Sequence, residues 1–104
     1  MKSDEESLDT FLVERYWPGV TEEMLRSAEE RLRRAVEGMV GEGIPIRYLR
    51  STLVHEDESV FSLFAGGSID DVAMVNRRSG VPFDRIVHAT ELTGAISSPG
   101  SAGR

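Results

Sequence analysis

One carboxylate stands out because it lies in a stretch of apolar residues. Glu14 follows the apolar run 11–13 in a segment rich in strand-forming residues. Burying a carboxylate there is costly unless the carboxylate binds a cation or pairs with a base. Glu14 is therefore the first candidate for a metal ligand or an acid–base group. The alternative is an ion pair with an arginine of a neighbouring strand, for which the candidates are Arg47, Arg50 and Arg85.

The two histidines are the next candidates, because nickel and zinc prefer imidazole nitrogen assisted by carboxylate oxygen. His88 alternates with Ile86 in an apolar stretch, where its ring needs a polar partner. If Glu14 shares its face, the two would form half a metal site or an acid–base couple. Otherwise His88 is simply hydrogen-bonded within an interface. His55 begins the polar run 55–58, which fits either a third metal ligand or a solvated turn.

Tyr16 is a candidate for contacting a small ligand. It lies two residues after Glu14, and the alternation of side chains along a strand places both on one face. Arg50 and Arg85, which are also candidate ion-pair partners of Glu14, complete the set of ligand-binding candidates.

Composition excludes several classes of function. The net charge of −6 leaves no basic stripe for the phosphates of nucleic acid. The chain has no cysteine, which excludes disulfides, thiolate nucleophiles and thiolate metal sites. No apolar run approaches the roughly 18 to 20 residues needed to span a membrane, so we expect a cytoplasmic protein.

The pattern of apolar residues predicts six elements in a definite order. Strand-like runs occupy 11–16, 44–54, 59–65 and 84–92, and a long helical pattern begins after the N-cap candidate Thr21 and ends at Gly41 or Gly43. A short helix begins after Ser68 and is closed by Gly80. The order βαββαβ is that of an α+β, ferredoxin-like fold, with a four-stranded antiparallel sheet and two helices on one face.

The domain is expected to span residues 10–92. Residues 1–9 are acidic and polar and are expected to form a disordered tail, and residues 93–104 are rich in Gly, Ser and Pro and are expected to be flexible.

The two central strands predict a dimer. The first and third strands carry apolar residues on both of their faces. Only one of these faces can pack against the helices. The other face is too apolar to remain hydrated. We therefore expect this face to pack on the sheet of a second subunit in a two-fold homodimer.

The sequence resembles a family of small bacterial proteins known as a domain of unknown function, of which some members bind nickel. The resemblance is carried by the Glu14-Arg15 pair, by Arg77-Arg78-x-Gly80-x-Pro82 and by Arg85, within the segments FLVERYWPGVTEE, IRYLRSTLV, FSLF and NRRSGVPFDRIVHATEL. It implies a ferredoxin-like dimer with a metal or small-ligand site. In one branch of the family a histidine lies two residues before the Arg-Arg pair, where this chain has Val75.

The leading hypothesis is a non-catalytic dimeric protein that binds Ni(II), another divalent transition metal or a small ligand, and neither nucleic acid nor a membrane. Its metal ligands would be Glu14, His88 and His55. One alternative is a small cofactor-independent enzyme of the monooxygenase or isomerase type, with an apolar pocket and His88 or Glu14 as its base. Another is a purely structural or regulatory interaction module.

Overall fold

The computed structural model describes residues 8–92, so both predicted tails, apart from residues 8 and 9, lie outside the described residues. The elements are β1 (Asp9–Tyr16), α1 (Glu22–Gly41), β2 (Ile46–Val54), β3 (Ser59–Gly66), α2 (Ile69–Ser79) and β4 (Arg85–Ala89). No helix in this part of the chain is long and apolar enough to cross a membrane.

The four strands form one antiparallel sheet in the order β2-β3-β1-β4. The first and third strands are central, as the sequence predicts, and the element order is that of a ferredoxin-like fold. Leu12 of β1 lies between Leu63 of β3 and Val87 of β4, and Glu14 lies between Phe61 and Arg85. This register decides which side chains share a face.

The core lies between the helices and one face of the sheet. In β1 the side chains of Phe11, Val13 and Arg15 are buried, whereas the intervening residues are partly exposed. Apolar contact between these layers is the main contribution to the stability of a domain of this size. The buried apolar cluster comprises Phe11, Val13, Ala28, Leu32, Met39, Ile46, Phe64, Val72, Val75 and Val81.

The predicted start of α1 is confirmed. The Thr21 hydroxyl accepts a hydrogen bond from the Met24 N–H at 3.1 Å, which satisfies one of the unpaired donors of the first turn. The Glu29 carboxylate of α1 accepts a hydrogen bond from the Tyr48 hydroxyl of β2.

Strand boundaries differ from the prediction by one to three residues, and β1 begins at Asp9 rather than at residue 11. β2 begins at Ile46 rather than at residue 44, because the Ile44 N–H donates to the Met39 carbonyl and belongs to the end of α1, and Pro45 has no N–H to donate. β4 ends at Ala89 rather than at residue 92. Ala89 pairs with Thr10 near the start of β1, and little of that strand remains beyond it.

Two glycines should respond in opposite ways to replacement by alanine. Gly80 closes α2 with φ of +74°, so Gly80→Ala should destabilise the protein by about 1 kcal/mol. Gly38 lies inside α1 with open space around it, so Gly38→Ala should stabilise by about 0.5 to 1 kcal/mol. Urea unfolding measures both changes, and shifts of the same sign would contradict this assignment.

Candidate functional site

One face of the sheet is directed away from the helices, and we call it the open face. Its residues alternate with the buried ones along β1 and β3, so they are directed away from the helix layer. At its centre Leu12 lies beside Leu63 and Val87, and all three side chains are partly exposed. The open face includes Leu12, Glu14, Tyr16, Arg50, Phe61, Leu63, Arg85 and Val87.

Glu14 forms an ion pair on the open face. Its carboxylate accepts two hydrogen bonds from Arg85, one from Nε and one from Nη2, each at 3.0 Å. The hydrogen bond that Arg85 donates to this carboxylate raises the pKa of Arg85. The ion-pair interpretation of Glu14 is confirmed, with Arg85 as the partner among the three arginines considered. A fork geometry of this kind orients both side chains.

A hollow of about 210 Å³ lies at the end of the open face where β1 finishes. Tyr16 is 62% exposed there, so its ring is available for contact. Asp84 shapes the hollow: its Oδ2 accepts the Tyr16 N–H at 2.5 Å and its N–H donates to the Glu14 carbonyl at 2.8 Å. The lining residues are Glu14, Arg15, Tyr16, Ser59, Phe61 and Asp84.

Arg50 lies away from this hollow and forms an ion pair with Glu91. Arg50 belongs to β2 and Glu91 follows β4, and these strands are opposite edges of the sheet. Arg50 is in register with Leu63, which places it on the open face. The ion pair therefore directs the segment after β4 across the open face toward β2.

The structure does not bring Glu14 and His88 together. Arg85 pairs with Glu14, so His88, three residues later, has the opposite parity and pairs with Phe11 on the helix side of the sheet. Because β4 is an edge strand, the His88 side chain is 65% exposed. Its ring centroid lies 5.2 Å from that of Phe11 and its Nε2 lies 3.7 Å from a carboxylate oxygen of Asp9.

His55 is exposed in the turn between β2 and β3. It lies near the end of β1, because the same turn accepts the Trp17 N–H at the Glu58 carbonyl, 2.7 Å away. Within residues 8–92 no three side chains of the kinds His, Asp and Glu are grouped so that they could hold a metal ion. One chain therefore does not assemble Glu14, His88 and His55 into one site.

Sequence reasoning missed Arg15, whose side chain is buried between the sheet and the helices with only 3% exposed. Its guanidinium donates to the Pro82 carbonyl at 2.9 Å, to Ser62 Oγ at 3.2 Å and to Asn76 Oδ1 at 3.0 Å. Burial lowers the pKa of Arg15 to about 10, although Tyr48 and Asp84 act in the opposite direction. Arg15 alternates along β1 with Phe11 and Val13, but the sequence does not show which side of this strand faces the helices.

A chain of hydrogen bonds continues from Arg15 to the surface of α1. The Ser62 hydroxyl lies 2.6 Å from the Ser51 hydroxyl, which lies 2.6 Å from that of Tyr48, and Tyr48 donates to Glu29 at 2.5 Å. Burial, followed by the hydrogen bond to Glu29, raises the pKa of Tyr48 above its ordinary value of 10.0. These groups satisfy one another, which is what a buried polar network requires.

Tyr48 should make the protein less stable at alkaline pH. Since its pKa is raised in the folded state, its contribution is complete below pH 10.0 and is lost as pH rises toward the folded value. The half-buried ring should contribute a loss of about 1 kcal/mol between about pH 9 and about pH 11. Tyr48→Phe should be less stable at neutral pH but should lose less stability over this range, as measured by urea unfolding. Parallel pH profiles would contradict this role.

Comparison with known proteins supports the fold. No protein-family model and no curated protein matches the sequence. The chain is similar to a solved structure described as the crystal structure analysis of SCO4226 from Streptomyces coelicolor A3(2), with a TM-score of 0.67 and 18% sequence identity. The match covers 81% of this chain and 99% of that chain. At this identity the similarity shows the fold alone, and it agrees with the ferredoxin-like topology.

Proposed function

We propose that this protein is a non-catalytic binding protein that works as a two-fold homodimer in the cytoplasm. The observation that carries the proposal is the open face, where Leu12, Leu63 and Val87 form an apolar centre without a covering layer of helices. A second copy supplies a surface of the same shape and polarity, which is the usual arrangement in a two-fold interface. Packing the two centres together removes their apolar area from water.

The ligand site in this proposal lies at the border of the open face, where Glu14 and Tyr16 line the hollow at the end of β1 and Arg85 is hydrogen-bonded to Glu14. Its volume of about 210 Å³ is smaller than the roughly 300 to 1,000 Å³ of typical small-molecule sites, which favours binding of a small ligand or ion over an enzyme pocket. For the same reason we prefer this function to a monooxygenase or isomerase.

In the metal version of the proposal, Ni(II) or another divalent transition metal is bound with ligands from both copies. Three suitable side chains do not converge within residues 8–92 of one chain, so a second copy must contribute. Glu14 supplies carboxylate oxygen, and His55, which lies near the end of β1, supplies the imidazole nitrogen that such metals prefer. The candidate His88 lies on the helix side of the sheet, away from this interface. Metal binding would then compete with the ion pair between Glu14 and Arg85.

Calorimetric titration of chelator-stripped protein with Ni(II) and Zn(II) tests the metal version. We expect saturable heat that is lost in Glu14→Ala, reduced in His55→Ala and unchanged in His88→Ala, because His88 lies on the other face of the sheet. Glu22→Ala is the matched control, because Glu22 is an exposed carboxylate on α1. Absence of heat, or equal heat in all variants, would contradict metal binding.

A further inference from the structure

A second cavity lies beyond the end of β1, and it is formed by one chain alone. Its volume is about 250 Å³ and it is lined by Arg15, Tyr16, Trp17 and Pro82. Trp17 follows β1 directly and also packs against the buried core, while Pro82 lies between α2 and β4. The rings of Trp17 and Pro82 provide apolar walls, and no carboxylate belongs to the lining.

Among the four residues that line this cavity, Arg15 is the charged one. A guanidinium has five N–H donors, and three of those of Arg15 are used by Pro82, Ser62 and Asn76. The Nε–H and the second Nη1–H find no acceptor within residues 8–92. All three acceptors in use are neutral oxygens, so the buried cation also forms no ion pair in this part of the chain. Leaving charged donors unsatisfied at 3% exposure is costly.

The carboxylate that acts on the charge of Arg15 does not accept a hydrogen bond from its unused donors. Asp84 acts on the charge of Arg15 from a distance, but its Oδ2 accepts the Tyr16 N–H at 2.5 Å. Asp84 lines the hollow on the open face, not the cavity beside Trp17. A ligand that enters beside Trp17 therefore approaches Arg15, and Asp84 is not part of the cavity lining that it contacts.

We propose that the cavity lined by Arg15, Tyr16, Trp17 and Pro82 binds a small monocarboxylate with a planar apolar body. The carboxylate would accept from one of the remaining Arg15 donors, because the Nε–H and the Nη1–H lie on different edges of the planar guanidinium, and the apolar body would lie against Trp17 and Pro82. Hydrogen bonds between charged partners are roughly twice as strong as neutral ones, and aromatic walls favour flat apolar groups. The few free donors of one arginine suit a monocarboxylate better than a phosphate dianion, which needs more donors.

The single tryptophan of the chain makes the test direct, because Trp17 is itself a wall of the cavity. The probe is benzoate, titrated into the native full-length protein at constant ionic strength while tryptophan fluorescence is followed. Benzamide and benzyl alcohol are neutral controls of nearly the same shape. We expect a saturable change with benzoate at least about tenfold tighter than with either control, which corresponds to one charged hydrogen bond.

A second readout identifies the residue without altering the buried network. In ¹H–¹⁵N spectra the Arg15 Nε–H resonance should move with benzoate along the same binding curve, whereas that of Arg26, an exposed arginine of α1, should stay in place. Equal affinity for benzamide, a stationary Arg15 resonance or no saturable fluorescence change would overturn the proposal. None of these outcomes depends on dimer formation or on Ni(II), so failure here is distinct from failure of the proposed function.

Discussion

Replacing Leu12 by aspartate is expected to convert a dimer into a monomer. Leu12 lies at the centre of the open face between Leu63 and Val87, so the proposed interface would bury the new carboxylate among apolar side chains. Substitutions at the centre of an interface cost about 2 to 4 kcal/mol, which raises the dissociation constant roughly 30- to 1,000-fold. Sedimentation equilibrium of Leu12→Asp over a concentration series measures this change.

The control for this variant is Met24→Asp. Met24 is 39% exposed on the first turn of α1, on the helix side of the molecule. It should leave the dissociation constant unchanged, and circular dichroism should show that both variants remain folded. If Leu12→Asp associates as the native protein does, the open face is not the interface.

Replacing Arg15 by alanine should produce the largest loss of stability among single substitutions in the sheet, about 3 to 5 kcal/mol. The change removes the aliphatic stem of a buried side chain and leaves a cavity. It also leaves the Pro82 carbonyl, Ser62 Oγ and Asn76 Oδ1 without their donor. The midpoint and slope of urea unfolding give the change in the free energy of unfolding.

Arg85 is the matched control, because it belongs to the neighbouring strand and also makes two side-chain hydrogen bonds. Its side chain is 64% exposed and lies on the other face of the sheet. Arg85→Ala should therefore cost far less stability than Arg15→Ala. Similar losses for the two variants would show that burial of the Arg15 network contributes little.

The fold could be predicted from the sequence because its elements differ strongly in periodicity. The amphipathic pattern that follows Thr21 and the short pattern closed by Gly80 mark two helices, and both caps are present in the structure. The ends of β2 and β4 were placed less well. Their limits depend on hydrogen bonds to the end of α1 and to β1, which apolar patterning does not specify.

The candidate site was predicted only in part, because its geometry depends on register. The antiparallel pairing of β1 with β4 joins Glu14 to Arg85 and sends His88 to the opposite face. A shift of this register by one residue would place His88 on the face of Glu14. Because β1 has apolar residues on both faces, its sequence does not show which face packs against the helices. Arg15 was missed for the same reason, since the strand was expected to be covered on both faces. The contact of Arg50 with Glu91 depends on the path after β4.

Sedimentation velocity of the native protein at micromolar concentration tests the central claim, that the open face is covered by a second copy. We expect a single species with the mass of two 11.5 kDa chains. We also expect backbone amides of β1 and β3 to exchange more slowly as the protein concentration rises. A species with the mass of one chain throughout the micromolar range would show that the open face is not covered by a second copy.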